Sequence, residues 1–226
     1  MTNAPVVNHP RRVAMTSRRE IARRLRGIDG VRTPRIVPFD SHRPPERPYL
    51  LRALGFHMGQ YFERIDDAQA LSAALERFPP VELAAVEFIE TRDDDGWYRK
   101  YRVMALDGKL YPLHLAASQS WKVHYFSSAM EEEAALREQE AVFLGDMAAA
   151  IGRPAVLALE RVADELGLEY AGIDFALDSD GAVVVFEANA AMAVVPPGDD
   201  PRFTYRRAAA DAVKGAMQAL LDRRLR

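Results

Sequence analysis

Two apolar runs near the end of the chain, YAGIDFAL over 170–177 and AVVVFEAN over 182–189, constrain the fold more than any other feature. The turn sequence Asp178-Ser-Asp-Gly181 lies between them, so they read as a β-hairpin whose two faces are both largely covered. Side chains alternate along a strand, so Glu187 and Asn189 project from one face. A four-residue turn sets Asp174 opposite Val185 and Gly172 opposite Glu187, which makes Asp174 a diagonal neighbour of Glu187 at roughly 7–8 Å. Two carboxylates and an amide oxygen then converge over a glycine that leaves room above it. Buried carboxylates are costly without a cation, and hard oxygen donors at this separation suit Mg²⁺ shared with phosphate oxygens. The competing reading is a pair of ordinary solvent-facing strand residues.

The remainder of the chain predicts what surrounds this hairpin. Ser17 and Glu20 form a capping box that opens a helix to about Arg26. Strands are predicted at 34–37, 49–52 and 61–65, and a helix at 67–78 that Pro79-Pro80 stops. Beyond it come an apolar strand at 81–89 and a tight hairpin at Asp107-Gly108. That turn places Arg102 opposite Leu113 and Lys100 opposite Leu115, with Lys100 and Arg102 together on one face as a cationic wall. A strand is expected at 121–126, a helix from a second capping box at Ser128 and Glu131 to about 150, a helix from Pro154 to Gly167, and a last helix over about 201–224. The order argues for an α+β protein of two α/β lobes, 1–80 and 81–226.

Composition removes several classes of function. With no cysteine in 226 residues, a thiol nucleophile, a thiolate metal site and a disulfide scaffold are excluded. No apolar run approaches the ~18 residues of a membrane span, and the N-terminus lacks the apolar core of a signal peptide; a cytoplasmic protein is expected. The net charge of −3 hides an asymmetry, because nine arginines face two acids over 11–35. Such a stretch reads either as a solvated helix face or as a surface for an acidic ligand. Aromatic interleaving is absent from it, so nucleic acid is not the expected partner.

At the hairpin the sequence resembles the ATP-grasp superfamily, whose last two core strands carry an Asp and then a Glu-x-Asn that hold Mg²⁺. Gly172-Ile-Asp174-Phe and Phe186-Glu187-Ala-Asn189 match that pattern. Further matches follow the family's order from Asn8 to Val195: Thr16-Ser-Arg18 at the opening of the small lobe, then Leu50-Leu-Arg52 with the glycine-containing flap Gly55-Phe-His57-Met-Gly59. Glu87-Phe88-Ile89-Glu90 is similar to the hinge that contacts adenine, and Tyr98-Arg-Lys-Tyr-Arg102-Val resembles a strand of the glutathione-synthetase and ribosomal-protein-modifying glutamate-ligase branches.

The resemblance implies two lobes holding ATP and Mg²⁺ between them, and ligation of a carboxylate to an amine or thiol through an acylphosphate. A peptide or protein is one substrate class it admits. It implies Asp174, Glu187 and Asn189 as metal ligands, Arg102 and Lys122 as catalytic cations, and Arg18, Arg52, His57, Glu87, Phe88, Ile89 and Glu90 as nucleotide contacts. Arg52 stands where the family usually has Lys. Family members also carry another α/β domain ahead of the small lobe, and little precedes Asn8 here. The expectations are therefore a partner that supplies the substrate surface, a macromolecular substrate that docks directly, or a chain without ligase activity. A phosphotransferase and a non-catalytic ATP-binding module are the alternative functions.

Overall fold

The two apolar runs of the expected hairpin form adjacent inner strands of a five-stranded sheet. The computed structural model describes residues 6–56, 59–124 and 128–225. In chain order the first elements are α1 Pro10–Val13, α2 Arg18–Arg24, β1 Val31–Arg32, β2 Ile36–Pro38, β3 Tyr49–Ala53, β4 Phe62–Ile65, α3 Ala68–Arg77 and β5 Leu83–Glu87. There follow β6 Tyr98–Leu106, β7 Lys109–Ser118, α4 Ala134–Gly145, α5 Met147–Ile151, α6 Arg153–Leu166, β8 Tyr170–Leu177, β9 Val183–Asn189 and α7 Arg206–Arg224. No helix among the described residues is long and apolar enough to cross a membrane.

The chain divides into two units, Pro34–Glu90 and a larger one made of Met1–Thr33 with Thr91–Arg226. The boundary expected at 80 moves to 90, because β5 pairs with both β2 and β3 of the smaller sheet. The first 33 residues join the larger unit because β1 pairs in parallel with β9.

The larger unit is built on a five-stranded sheet in the order β1-β9-β8-β6-β7. Val103, Ala105, Ile173, Phe175 and Val185 are buried on one face against Leu159 and Val162 of α6 and Ile21 of α2. At that helix Pro154 occupies the first turn and Gly167 ends it in the left-handed region at φ 58°, where a side chain would be strained. Met104, Leu106 and Leu113 point the other way and pack under Val213 of α7. Full burial of such aliphatic side chains is worth about 1.5–3 kcal/mol each. Asn8 fastens the N-terminal segment: its Nδ2 donates to the Tyr170 carbonyl at 2.7 Å and its Oδ1 accepts from the Glu169 and Tyr170 amides at 2.7 and 2.9 Å.

The smaller unit is an antiparallel sheet ordered β2-β5-β3-β4. Tyr49, Leu51, Ile65, Phe78 and Ala85 form its core with Ala74 of α3, a helix that Asp67 caps through the Ala70 amide.

Local differences from the sequence expectation have local causes. The helix expected from Ser128 to about 150 begins at Ala134 and breaks after Gly145, where the Asp146 carboxylate accepts from the Ala149 amide and starts α5. Residues 121 and 122 bend and 123 and 124 are irregular, so no strand forms there, and the rest of that expected strand lies outside the described residues. Pro201–Phe203 is a separate 3₁₀ turn ahead of α7.

Candidate functional site

Two strand irregularities decide where the charged side chains of the larger sheet lie. Asp107 and Gly108 both take positive φ, at 50° and 74°, as a tight hairpin requires. From Leu106↔Lys109 the strands pair as expected to Val103↔Pro112, then slip by one residue, so that Arg102 faces His114 and Lys100 faces Ala116. β8 and β9 pair from Leu177↔Val183 to Phe175↔Val185 and then slip likewise, so that Asp174 faces Glu187 and Gly172 faces Asn189. Leu113 and Phe186 are the extra residues, each a β-bulge beside the charged group. The partners expected from simple turn counting (Leu113, Leu115 and Val185, and Glu187 for Gly172) are therefore corrected, the β8–β9 turn itself taking five residues, 178–182, where four were expected.

With Arg102 also facing Asp174 across β6 and β8, one row crosses four adjacent strands: His114, Arg102, Asp174, Glu187. Arg102 grips Asp174 with two parallel hydrogen bonds, Nε to Oδ1 at 2.6 Å and Nη2 to Oδ2 at 2.9 Å. Lys100 adds its Nζ at 3.3 Å from Oδ2. Glu187 receives the Arg18 guanidinium at 2.6 Å from the first turn of α2. Arg18 thus belongs to the larger unit rather than to a small lobe.

Burial pushes the Asp174 carboxyl upward, but the Arg102 hydrogen bonds and the charges of Lys100 and Arg102 outweigh it and leave the pKa below its ordinary value. The His114 imidazole is held down to about 3, first by burial and then by the Arg102 charge. In the unfolded chain such a group titrates near ~6.5, so its contribution to stability is complete above that pH and is lost as pH falls toward the folded value. Denaturation midpoints of His114→Gln are expected to fall less than those of the parent between about pH 6.5 and 4.5; parallel curves would contradict the assignment. His124 is lowered by burial and then by Lys100, Lys122 and Arg102, which makes one cationic neighbourhood of the four.

Gly172 does not leave open space. A Cβ there would meet Met192, whose Cβ and Cγ lie 2.7 and 2.8 Å away, so the glycine admits the methionine. Gly172→Ala is expected to cost about 1–3 kcal/mol by overpacking, and clearly less in a Met192→Gly background, which removes the opposing Cβ as well. Denaturant unfolding of the four proteins checks this, and an equal cost in both backgrounds would refute the contact.

The donor set on this face is hard oxygen. Asp174 and Glu187 stand opposite each other with Asn189 two residues along, the chemistry that Mg²⁺ takes. Asn189 Oδ1 accepts from the Ala191 amide at 2.7 Å, which fixes its orientation. Among the described residues no three His, Cys, Asp or Glu side chains cluster as a metal-holding group, and the Asn189 amide adds an oxygen donor beside the two carboxylates. The donors fit Mg²⁺ in kind, although every carboxylate oxygen of Asp174 already has a cation against it.

The other expected residues are distributed as follows. Lys122 is exposed, in the bend after β7. Arg52, in the smaller unit, is 8% exposed and donates to the Phe56 carbonyl at 2.8 Å. Glu87 accepts from the Arg35 amide at 2.9 Å, and the Arg64 guanidinium lies 4.2 Å from the centre of the Phe88 ring. Ile89 is half-buried and Glu90 exposed in the segment after β5. Within the same unit Arg35, Arg43, Glu46, Tyr49 and Glu87 contribute to the walls of a cavity of about 480 Å³. His57 lies outside the described residues. Sequence reasoning missed His114 altogether, since only the bulge at Leu113 brings it opposite Arg102.

No protein-family model matches the sequence, and no curated protein matches it. Solved structures do. The ATP-grasp ligase PsnB, complexed with a phosphomimetic variant of minimal precursor, Mg and ADP, superposes with TM-score 0.52 at 16% identity over 93% of this chain and 61% of that one. D-alanine–D-alanine ligase from Bacillus anthracis matches with TM-score 0.51 at 17% identity, over 94% of this chain and 66% of that one. VanG D-Ala:D-Ser ligase from Enterococcus faecalis matches with TM-score 0.51 at 14% identity, over 90% and 62%. The chain thus spans less than two thirds of each of these proteins, and what the likeness shows is the fold.

Proposed function

We propose that this chain, which has the ATP-grasp fold, is an ATP- and Mg²⁺-dependent ligase that joins a carboxylate to an amine through an acylphosphate. The observation that carries the reading is the row itself: two carboxylates opposite each other on adjacent strands, touched by Arg18, Lys100 and Arg102. Bound Mg²⁺ supplies charge neutralisation at the phosphate oxygens of ATP. Asp174 and Glu187 hold the ion and Asn189 adds an amide oxygen. Arg102 and Lys122 face charge that develops on the transferring phosphoryl group and on the incoming carboxylate. A planar guanidinium suits that bidentate contact better than an ammonium does. In the smaller unit Arg52 serves phosphate, and Glu87, Glu90 and the backbone of Phe88 and Ile89 serve the nucleoside.

The acid substrate in this reading is an acidic peptide. Arg23 in the last turn of α2 and Arg26 in the turn after it are exposed, and Arg18 in the first turn of the same helix reaches Glu187. PsnB, the structural neighbour complexed with a precursor, makes a peptide the first class to try. The test is ADP release from ATP and Mg²⁺ with acidic peptides and amines supplied singly and together. Release of ADP and phosphate that needs both supports the ligase. A stable phosphorylated product would make the chain a phosphotransferase, and nucleotide binding without ADP in any mixture would make it a binding module.

A further inference from the structure

Each acid of the candidate site is already matched to cations of the chain. Arg102 occupies both oxygens of Asp174 at 2.6 and 2.9 Å, Lys100 adds a contact at 3.3 Å, and Arg18 holds Glu187 at 2.6 Å. The Asp174 side chain is 6% exposed, whereas those of Arg18 and Glu187 are 35% and 28% exposed. Three cations therefore stand on two carboxylates, in surroundings where an uncompensated charge is costly. A bare divalent ion entering here has to displace guanidinium groups and leaves them without counter-charge. A metal–polyphosphate complex brings both halves of the exchange: its metal replaces the cations on the carboxylates, and its phosphate oxygens receive the released arginines, with the fork geometry that Arg offers phosphate.

We propose that Arg18, Lys100 and Arg102 form an ion-pair latch that makes this site selective for a divalent metal–polyphosphate complex over the free divalent cation. The carboxylates and the cations exchange partners in one event, so the metal arrives with its polyanion rather than ahead of it. This rests on the reading of Asp174 and Glu187 as the metal-holding pair, and deepens it by naming the ionic form of the ligand.

The latch makes an unusual demand on mutants. Arg18→Gln frees Glu187, so affinity for Mn²⁺ alone rises by about threefold to tenfold, the scale of a partly exposed ion pair. The same substitution weakens binding of the Mn²⁺–ADP complex, because a phosphate partner is lost. Loss of fold lowers both affinities and cannot produce opposite signs. Arg19→Gln is the control for net charge, since Arg19 is the next residue, is exposed, and forms no salt bridge among the described residues. Lys100→Met, which leaves the paired hydrogen bonds of Arg102 in place, repeats the readout from the Asp174 side.

The experiment is Mn²⁺ binding to the full chain, followed by the paramagnetic signal of free Mn²⁺, with and without ADP. The expected result is weak binding of Mn²⁺ alone to the parent, tighter binding in Arg18→Gln and in Lys100→Met, no change in Arg19→Gln, and the reverse order with ADP present. Equal affinity of the parent for Mn²⁺ alone and for Mn²⁺–ADP overturns the latch and leaves the metal site standing. An Arg19→Gln gain as large as that of Arg18→Gln also overturns it. ADP-dependent Mn²⁺ binding that survives intact in Asp174→Asn removes the metal-site reading, and the latch with it.

Discussion

Glu140→Ala is expected to destabilise the protein by about 3–5 kcal/mol, the scale of breaking a buried ion pair from one side. Glu140 lies in α4 with no exposed surface. Its Oε1 accepts from the Leu115 amide at 3.0 Å, next to His114, and its Oε2 accepts from Tyr205 at 2.5 Å and from Arg206 Nε at 2.8 Å. Leu115 belongs to β7, the edge strand of the larger sheet, so the carboxylate covers a backbone donor there as well as neutralising Arg206. Burial raises the Glu140 pKa, and Arg206 and Tyr205 only partly oppose it. Removing the carboxylate takes away the anion paired with Arg206, which is 7% exposed. The double variant Glu140→Leu/Arg206→Met is expected to recover most of the loss, because a buried pair replaced by apolar groups is often neutral. Urea midpoints of the single and double variants check this. A single-variant loss under about 1 kcal/mol would show that the network carries little.

Asp174→Ala is expected to lower Mg²⁺-dependent ATP turnover by about a thousandfold or more, the scale of removing a group that places charge at a transferring phosphoryl. It removes the acid that faces Glu187 and frees Arg102 and Lys100 from the geometry in which they are held. Asp174→Asn keeps the volume and separates shape from charge: turnover should fall nearly as far, while the fold is better preserved. The pKa of Asp174 is lowered in the folded state. The stability it contributes is therefore present above its unfolded value of ~3.9 and is lost as pH falls through the folded value. Asp174→Asn should flatten that acid limb. Parent-like turnover in both variants would contradict the assignment, whatever their stability.

The hairpin around Asp174 and Glu187 was legible because few polar residues interrupt two apolar strands, and the strand limits of Tyr170–Leu177 are those expected. The Ser17 cap was equally legible, and the Pro79-Pro80 stop bounded the helix over 67–78. The cross-strand partners were not. Counting from a turn assumes an unbroken ladder, and bulges at Leu113 and Phe186 shift each ladder by one residue beside the charged groups. At β8–β9 the turn is also one residue longer than counted, since Leu177 pairs with Val183; turn and bulge together make the Asp174–Glu187 diagonal a direct pair, while at β6–β7 the bulge alone brings His114 into the row. The room expected above Gly172 is filled from Met192, twenty residues further along, beyond the reach of local pattern. That residues 1–33 join the larger unit was not legible for a related reason: β1 is two residues long and pairs with β9, which leaves almost no periodic signal.

The central claim is that Asp174 and Glu187 grip a divalent metal together with a nucleotide's phosphates. Its most direct test is a crystal of the full chain grown with Mn²⁺ and ADP, with the metal located by its anomalous scattering. The account predicts a peak bonded to a carboxylate oxygen of each residue at about 2.0–2.3 Å, with Arg18 turned from Glu187 toward phosphate. A peak bound elsewhere, or bound nucleotide with Arg18 and Arg102 still clasping the two acids, would contradict it.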